Sequence, residues 1–212
     1  MSINQISSYN TNNMHVQSLM KVKNVSNEEE IMGAISSAMD SVSLSFLGKN
    51  FASYHDTLRR EGDKDALEGL RQMAIHLAKN PNNARAMDFS NIMNTRENDD
   101  GFLNNFFSAV NDITESRNNL NSWFNTFTGL ETFSNQDGFI NTSREILRLE
   151  GDSEDIKGLF NDFVRTTDQI VSSFEDEEIR HEHLDNFFTG LEEFETVEGY
   201  TGGIENFREN TL

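Results

Sequence analysis

Between Glu175 and Asp185 the chain reads EDEEIRHEHLD, six carboxylates and two imidazoles in eleven positions. On a helix Glu178 and His181 stand three residues apart and His181 and Asp185 four apart, so all three side chains share one face. Carboxylate and imidazole converging in this way are hard and borderline donors for a divalent cation. Glu-x-x-His is half of the pattern that holds paired metals inside helical bundles. The complete pattern needs a second Glu-x-x-His and two further inward glutamates. The chain contains Glu-x-x-His once. Glu178, His181 and Asp185 are therefore the metal candidates, weighed against a solvated acidic helix start, and no cofactor is expected. His15, His55 and His76 are isolated in sequence and are read as structural.

Two other phrases invite a metal reading. NDDGFLN (98–104) and NQDGFIN (135–141) resemble the middle of a calcium loop, with Gly at its sixth position. In that twelve-residue frame the first ligand position falls on Arg96 or Phe133, and the twelfth falls on Phe107 or Arg144. Neither end supplies a carboxylate, so both phrases are read as turns whose Asp or Asn caps the next helix. There is no Gly-rich phosphate loop and no Gly-x-Ser-x-Gly elbow. The 212 residues include no cysteine, which removes thiolate zinc sites, thiol nucleophiles and disulfides together. The chain is not expected to be an enzyme.

The elements that carry these residues read as helices. One Pro, 17 Phe and apolar positions at helical spacing argue for an all-α fold. One stripe runs through Ile156, Leu159, Phe160, Phe163, Val164, Ile170, Val171 and Phe174, and a second through Leu184, Phe187, Phe188, Leu191 and Phe194. Two phrases recur. LRREGDKDALEGL (58–70) returns as LRLEGDSEDIKGL (147–159), and LNNFFSAVNDI (103–113) returns as LDNFFTGLEEF (184–194). The same order in two separate blocks points to a tandem duplication of a roughly four-helix unit, forming one compact or solenoid-like body.

In each EGD phrase the glycine, Gly62 or Gly151, is placed to end a helix in the left-handed conformation that only Gly adopts at no steric cost. Asp63 or Asp152 is then placed to cap the next helix. Gly69 and Gly158 recur seven residues later, which suggests close helix–helix approach. The helices expected in unit one are 28–46, 50–61, 64–79 and 100–113, with a short extra helix near 86–93. Those of unit two are 117–133, 139–149, 153–175 and 179–195. The domain reading is an N-terminal arm over 1–27, repeat units over 28–115 and 116–197, and a C-terminal tail over 198–212.

Charge narrows the partners. The formal net charge is −19, with all 36 carboxylates after residue 27. Such a chain repels phosphate backbones and anionic headgroups, so neither nucleic acid binding nor membrane insertion is expected. A protein partner, and a basic one, is the complement. The arm over 1–27 is rich in Ser, Asn, Thr and Gln and too polar to offset its ordering entropy, so it is expected to be disordered alone. It lacks the basic start and continuous apolar run of a secretory signal. With this acid-free, Asn- and Ser-rich start, no cysteine and a helical body, the chain is similar in composition to bacterial proteins exported unfolded through flagellar or related type III systems. That likeness implies an appendage component, either cytoplasmic or exported by a route other than the general secretory one.

The function expected is a non-catalytic interaction or structural protein whose acidic helical body docks on a partner assembly. The alternatives are an acidic inhibitor or chaperone that mimics a polyanion in a basic groove, and a helical metal-binding protein. The sequence leaves the oligomeric state open.

Overall fold

The computed structural model describes residues 45–80 and 84–212, and the described chain is all helical. The expected arm over 1–27, and all but the last two residues of the helix expected over 28–46, lie outside the described residues. The chain divides into two compact units, Met1–Phe107 and Ser108–Leu212. The division falls inside a helix, ahead of the junction expected after Glu115.

In the N-terminal unit, α1 (Ser45–Glu61) buries Phe51, Tyr54 and Leu58, spaced to share one face. The helix runs unbroken through Gly48, so the break expected between 46 and 50 is absent. It stops at Gly62, whose φ is +77° and whose N–H donates to the Leu58 carbonyl at 3.1 Å. No atom lies within 4 Å of where a Gly62 Cβ would sit. Backbone conformation alone therefore demands glycine there. Asp63 begins α2 (Lys64–Lys79), its Oδ1 accepting from the N–H groups of Asp65 at 2.9 Å and Ala66 at 3.0 Å. The buried face of α2 carries Ala66, Gly69, Leu70, Met73, Ala74 and Leu77.

The short helix α3 (Ala86–Thr95) buries Phe89 and Met93. Between it and α4 (Asp100–Glu115) the Arg96 guanidinium lies 3.8 Å over the Phe102 ring and donates to Asp99 at 2.7 Å. Asp99 caps α4 by accepting from the Phe102 N–H at 3.0 Å. Its carboxyl is held below the usual range by that arginine. The first half of α4 closes the core: Phe106 packs on Phe89 with centroids 5.6 Å apart, and Phe107 meets Tyr54 at 6.1 Å.

The C-terminal unit begins with the second half of α4, whose Ala109, Val110 and Ile113 are fully buried. Asn119 then caps the short helix α5 (Leu120–Phe127), accepting from the Ser122 N–H at 3.1 Å. The helix expected over 117–133 is thus shorter, because α5 ends at Phe127 with Thr128 as its cap, and Thr132 caps a new helix, α6 (Phe133–Leu147). NQDGFIN therefore lies within α6 rather than in a turn. The sequence signal misleads at Gly138, where a Cβ would meet Phe188 Cδ2 at 2.7 Å. The glycine marks a close approach of two helices, not a bend.

Helices α7 (Ser153–Ser173) and α8 (Glu177–Leu191) follow, capped by Asp152 and Asp176. Asp152 accepts from the Glu154 N–H at 2.8 Å, as its counterpart Asp63 does from Asp65. Gly151 differs from Gly62. Among the described glycines only Gly62 has a positive φ, and α6 already ends at Leu147 with Arg148 as its cap. Gly158 also departs from expectation: it is exposed and has nothing within 4 Å of a Cβ, so it seats no neighbouring helix. The two LxxFF segments, by contrast, share their packing. Leu103 and Leu184, Phe106 and Phe187, Phe107 and Phe188, and Val110 and Leu191 are all buried.

The tail expected over 198–212 is instead a helix, α9 (Val197–Thr211). Three glycines in its first half argue against a helix on propensity. Packing outweighs them: Tyr200 and Ile204 are buried, and Gly199 and Gly203 seat the Phe194 ring, which a Cβ at either position would strike. Thr196 supplies the cap, accepting from the Gly199 N–H at 3.1 Å.

Directions follow from the pairings. Asn135 and Gly138 of α6 meet Asp185 and Phe188 of α8 in the same order, so these helices run parallel. Phe207 and Gly203 of α9 meet Phe187 and Leu191 of α8 in reverse order. Helices α6 to α9 thus form an up-down-up-down bundle. Through its centre runs a ladder of rings: Trp123 on Phe139 at 5.6 Å, Phe139 on Phe163 at 5.3 Å, Phe163 on Phe187 at 5.9 Å and Phe187 on Phe207 at 4.7 Å. The Trp123 indole N–H donates to Ser143 Oγ at 2.9 Å, so the largest core side chain is also satisfied.

Three substitutions separate these glycine roles. Gly62→Ala should destabilise the fold by about 1 kcal/mol, because a Cβ at positive φ is strained. Gly151→Ala, at an ordinary φ with its nearest neighbour Val197 Cγ2 at 3.4 Å, should be close to neutral. Gly138→Ala should lower stability by roughly 1–2 kcal/mol despite alanine's better helix propensity, since the Phe188 ring must move. Urea midpoints of the three variants check all of this.

Candidate functional site

The residues singled out by EDEEIRHEHLD lie where α8 starts and meets the α5–α6 loop. Asp176 caps α8 by accepting from the N–H groups of Glu178 at 3.0 Å and Ile179 at 3.2 Å. Arg180 reaches two places: Nη1 donates to the Phe174 carbonyl at 2.8 Å, and Nη2 to Glu131 Oε2 at 2.6 Å. His181 Nε2 lies 3.0 Å from the same Glu131 oxygen. One turn further on, Asp185 Oδ1 accepts from Asn135 Nδ2 at 2.6 Å and from Ser134 Oγ at 3.1 Å.

The metal candidates are therefore dispersed. His181 is engaged by Glu131, Asp185 by the first turn of α6, and Glu178 is exposed on the first turn of α8. Among the described residues no group of three His, Asp or Glu side chains is placed to hold a metal ion. The cluster acts as a clasp that fixes the α5–α6 loop and the start of α6 to α8. Arg180 holds the Glu131 carboxyl below its usual range, with a smaller contribution from His181. Glu131 and Asn135 were not legible as partners, because no local spacing links positions 46 to 50 residues away in sequence.

The remaining candidates sit apart from this cluster. The hinge residues Gly62 and Asp63 form the α1–α2 corner, whereas Gly151 and Asp152 form the α6–α7 corner. His55 is buried on α1, and burial holds the His76 imidazole on α2 below its usual range. His15 lies outside the described residues.

The strongest electrostatic feature is the uneven charge. Residues 108–212 hold 23 carboxylates against seven Lys and Arg, whereas residues 1–107 hold 13 against ten. The C-terminal unit therefore carries −16 of the −19 net charge. Twelve of its 23 carboxylates stand exposed at the two ends of the bundle. At one end Glu150, Asp152, Glu154 and Asp155 of the α6–α7 corner and Glu192, Glu193, Glu195 and Glu198 of the α8–α9 corner are all exposed. Val197, 3.4 Å from where a Gly151 Cβ would sit, brings these corners together. At the other end stand Glu175, Glu177, Glu178 and Glu182, also exposed. No helix among the described residues is long and apolar enough to cross a membrane.

The clasp sets a pH dependence. Because the Glu131 carboxyl is depressed in the fold, its stabilisation is present above the usual carboxylate range and is lost as pH falls through it. The pair is partly exposed, so Glu131→Gln should cost under about 1 kcal/mol at neutral pH. That deficit should vanish in acid, which thermal melts across pH will check. No protein-family model matches the chain, and no curated protein or solved structure is significantly similar to it.

Proposed function

We propose that this is a non-catalytic interaction protein whose acidic C-terminal unit docks on a basic partner surface. The supporting observation is the concentration of net charge in residues 108–212, at −16 of −19. Exposed carboxylates at both ends of a short bundle create a field that attracts cationic surfaces and speeds their encounter. The first 27 residues, free of acidic groups, are proposed as a second docking or export arm, in keeping with an appendage or type III-exported component. The matching burial of the two LxxFF segments supports an inference of descent from one duplicated helical unit. Experimental coordinates in which α2–α4 and α7–α8 cannot be superimposed would remove that inference.

The inhibitor or chaperone reading uses the same surface and differs in consequence: the partner's activity would be blocked rather than its position fixed. A partner recovered from the native cell and identified should lose affinity steeply from low to high ionic strength. Neutralising exposed carboxylates at both ends together, with Glu178→Gln, Glu182→Gln, Glu192→Gln and Glu193→Gln, should weaken binding and flatten that salt dependence. Removing residues 1–27 should leave the melting temperature of the body unchanged while reducing partner binding or export. Salt-independent binding would overturn the acidic-docking reading.

A further inference from the structure

At the α7–α8 corner the acidic surface carries an apolar strip. Phe174, the residue that ends α7, stacks face to face with His183 of α8, with centroids 4.2 Å apart and planes 27° apart. Ile179 stands one turn before His183 on the same helix face and is 46% exposed. Ring, imidazole and branched side chain together form a short ridge. Exposed Glu175, Glu178 and Glu182 surround it.

Among the described residues no ion pair engages Glu175, Glu178 or Glu182. Glu178 and Glu182 are like charges at i and i+4, a spacing that costs a few tenths of a kcal/mol. Arg180 is the only arginine or lysine on α8, and it is committed to Glu131 and to the Phe174 carbonyl. The corner is also fixed in shape: Asp176 caps α8 and Arg180 bridges the corner to the α5–α6 loop. A rigid apolar ridge ringed by exposed carboxylates is the complement of a segment with an apolar anchor among Lys and Arg.

Resting on the acidic-docking reading, we infer that the α7–α8 corner, through Ile179, Phe174 and His183 within Glu175, Glu178 and Glu182, is the docking surface for a basic amphipathic helical segment of a partner protein. The apolar anchor gives the contact its specificity and the carboxylates its rate of encounter. At the opposite end no large apolar side chain among the described residues is exposed, Leu149, Ile156 and Phe194 there being half-buried.

The probe is a synthetic helical peptide with Leu on one face and Lys on the other, set against a peptide of equal charge in which Ser replaces Leu. Both are titrated into the full-length chain by fluorescence anisotropy. The Leu/Lys peptide should bind more tightly than the Ser/Lys peptide. Ile179→Ser should remove that preference, a loss on the order of ten-fold for burial of one branched side chain. Ile179 is exposed, and an unchanged melting temperature will confirm that the variant folds. Glu178→Gln with Glu182→Gln should weaken both peptides and flatten their salt dependence.

Glu192→Gln with Glu193→Gln, at the other end, should leave the Leu preference intact. If Ile179→Ser keeps the preference, or the Glu192 and Glu193 pair removes it, this docking surface is wrong while the acidic-docking reading stands. If neither peptide binds the intact chain, both readings fall.

Discussion

Phe188 occupies the space that any side chain at residue 138 would need, and the C-terminal bundle is arranged around that contact. Because Gly138 lets α6 and α8 approach closely, Phe139 and Phe188 both reach Phe163 on α7, at 5.3 and 6.0 Å between centroids. Phe163 then passes the stack to Phe187 and on to Phe207 of α9. Each fully buried ring contributes about 2–3 kcal/mol of transfer free energy, and the ring pairs add to it. A bundle of short helices, few of which would be stable alone, depends on such long-range packing far more than on helix propensity.

The same contact positions the surface. With α6 and α8 parallel and close, Glu131 and Asn135 come within reach of Arg180, His181 and Asp185, and the clasp between them holds the start of α8 still. The capping aspartates place carboxylates at helix starts, where the helix dipole favours them. Twelve carboxylates stand exposed where helices turn, and others, such as Asp168, Asp185 and Glu205, lie exposed along the sides of the bundle. Among the described residues the two ends differ in what accompanies the charge: a ridge with exposed Ile179 at the α7–α8 corner, and only half-buried apolar side chains such as Leu149 and Val197 at the other.

Several features were legible from residue order. The helical class follows from the apolar period, and the capping roles of Asp63 and Asp152 follow from their place in the EGD phrase. The burial of Phe163, Phe187 and Phe188 follows from their stripes. These signals are local, so a single segment contains all the information they need. The candidate metal set is not brought together in the fold, for the opposite reason. Spacing placed Glu178, His181 and Asp185 on adjoining turns, but their partners were chosen by another helix, which satisfied His181 and Asp185 and left Glu178 in solvent.

Glycine draws the boundary between the two kinds of information. Residue order alone marks Gly62 as the end of a helix, because a left-handed residue followed by a capping aspartate is a local device. It could not separate Gly62 from Gly151, which stands in the same phrase at an ordinary φ. Nor could it tell that Gly138 lies inside a helix, or that residues 197–211 form a helix rather than a tail. Those outcomes belong to tertiary structure, since Phe188 and Phe194 fill the space the missing side chains leave, and a close approach is a property of two segments that neither one encodes alone.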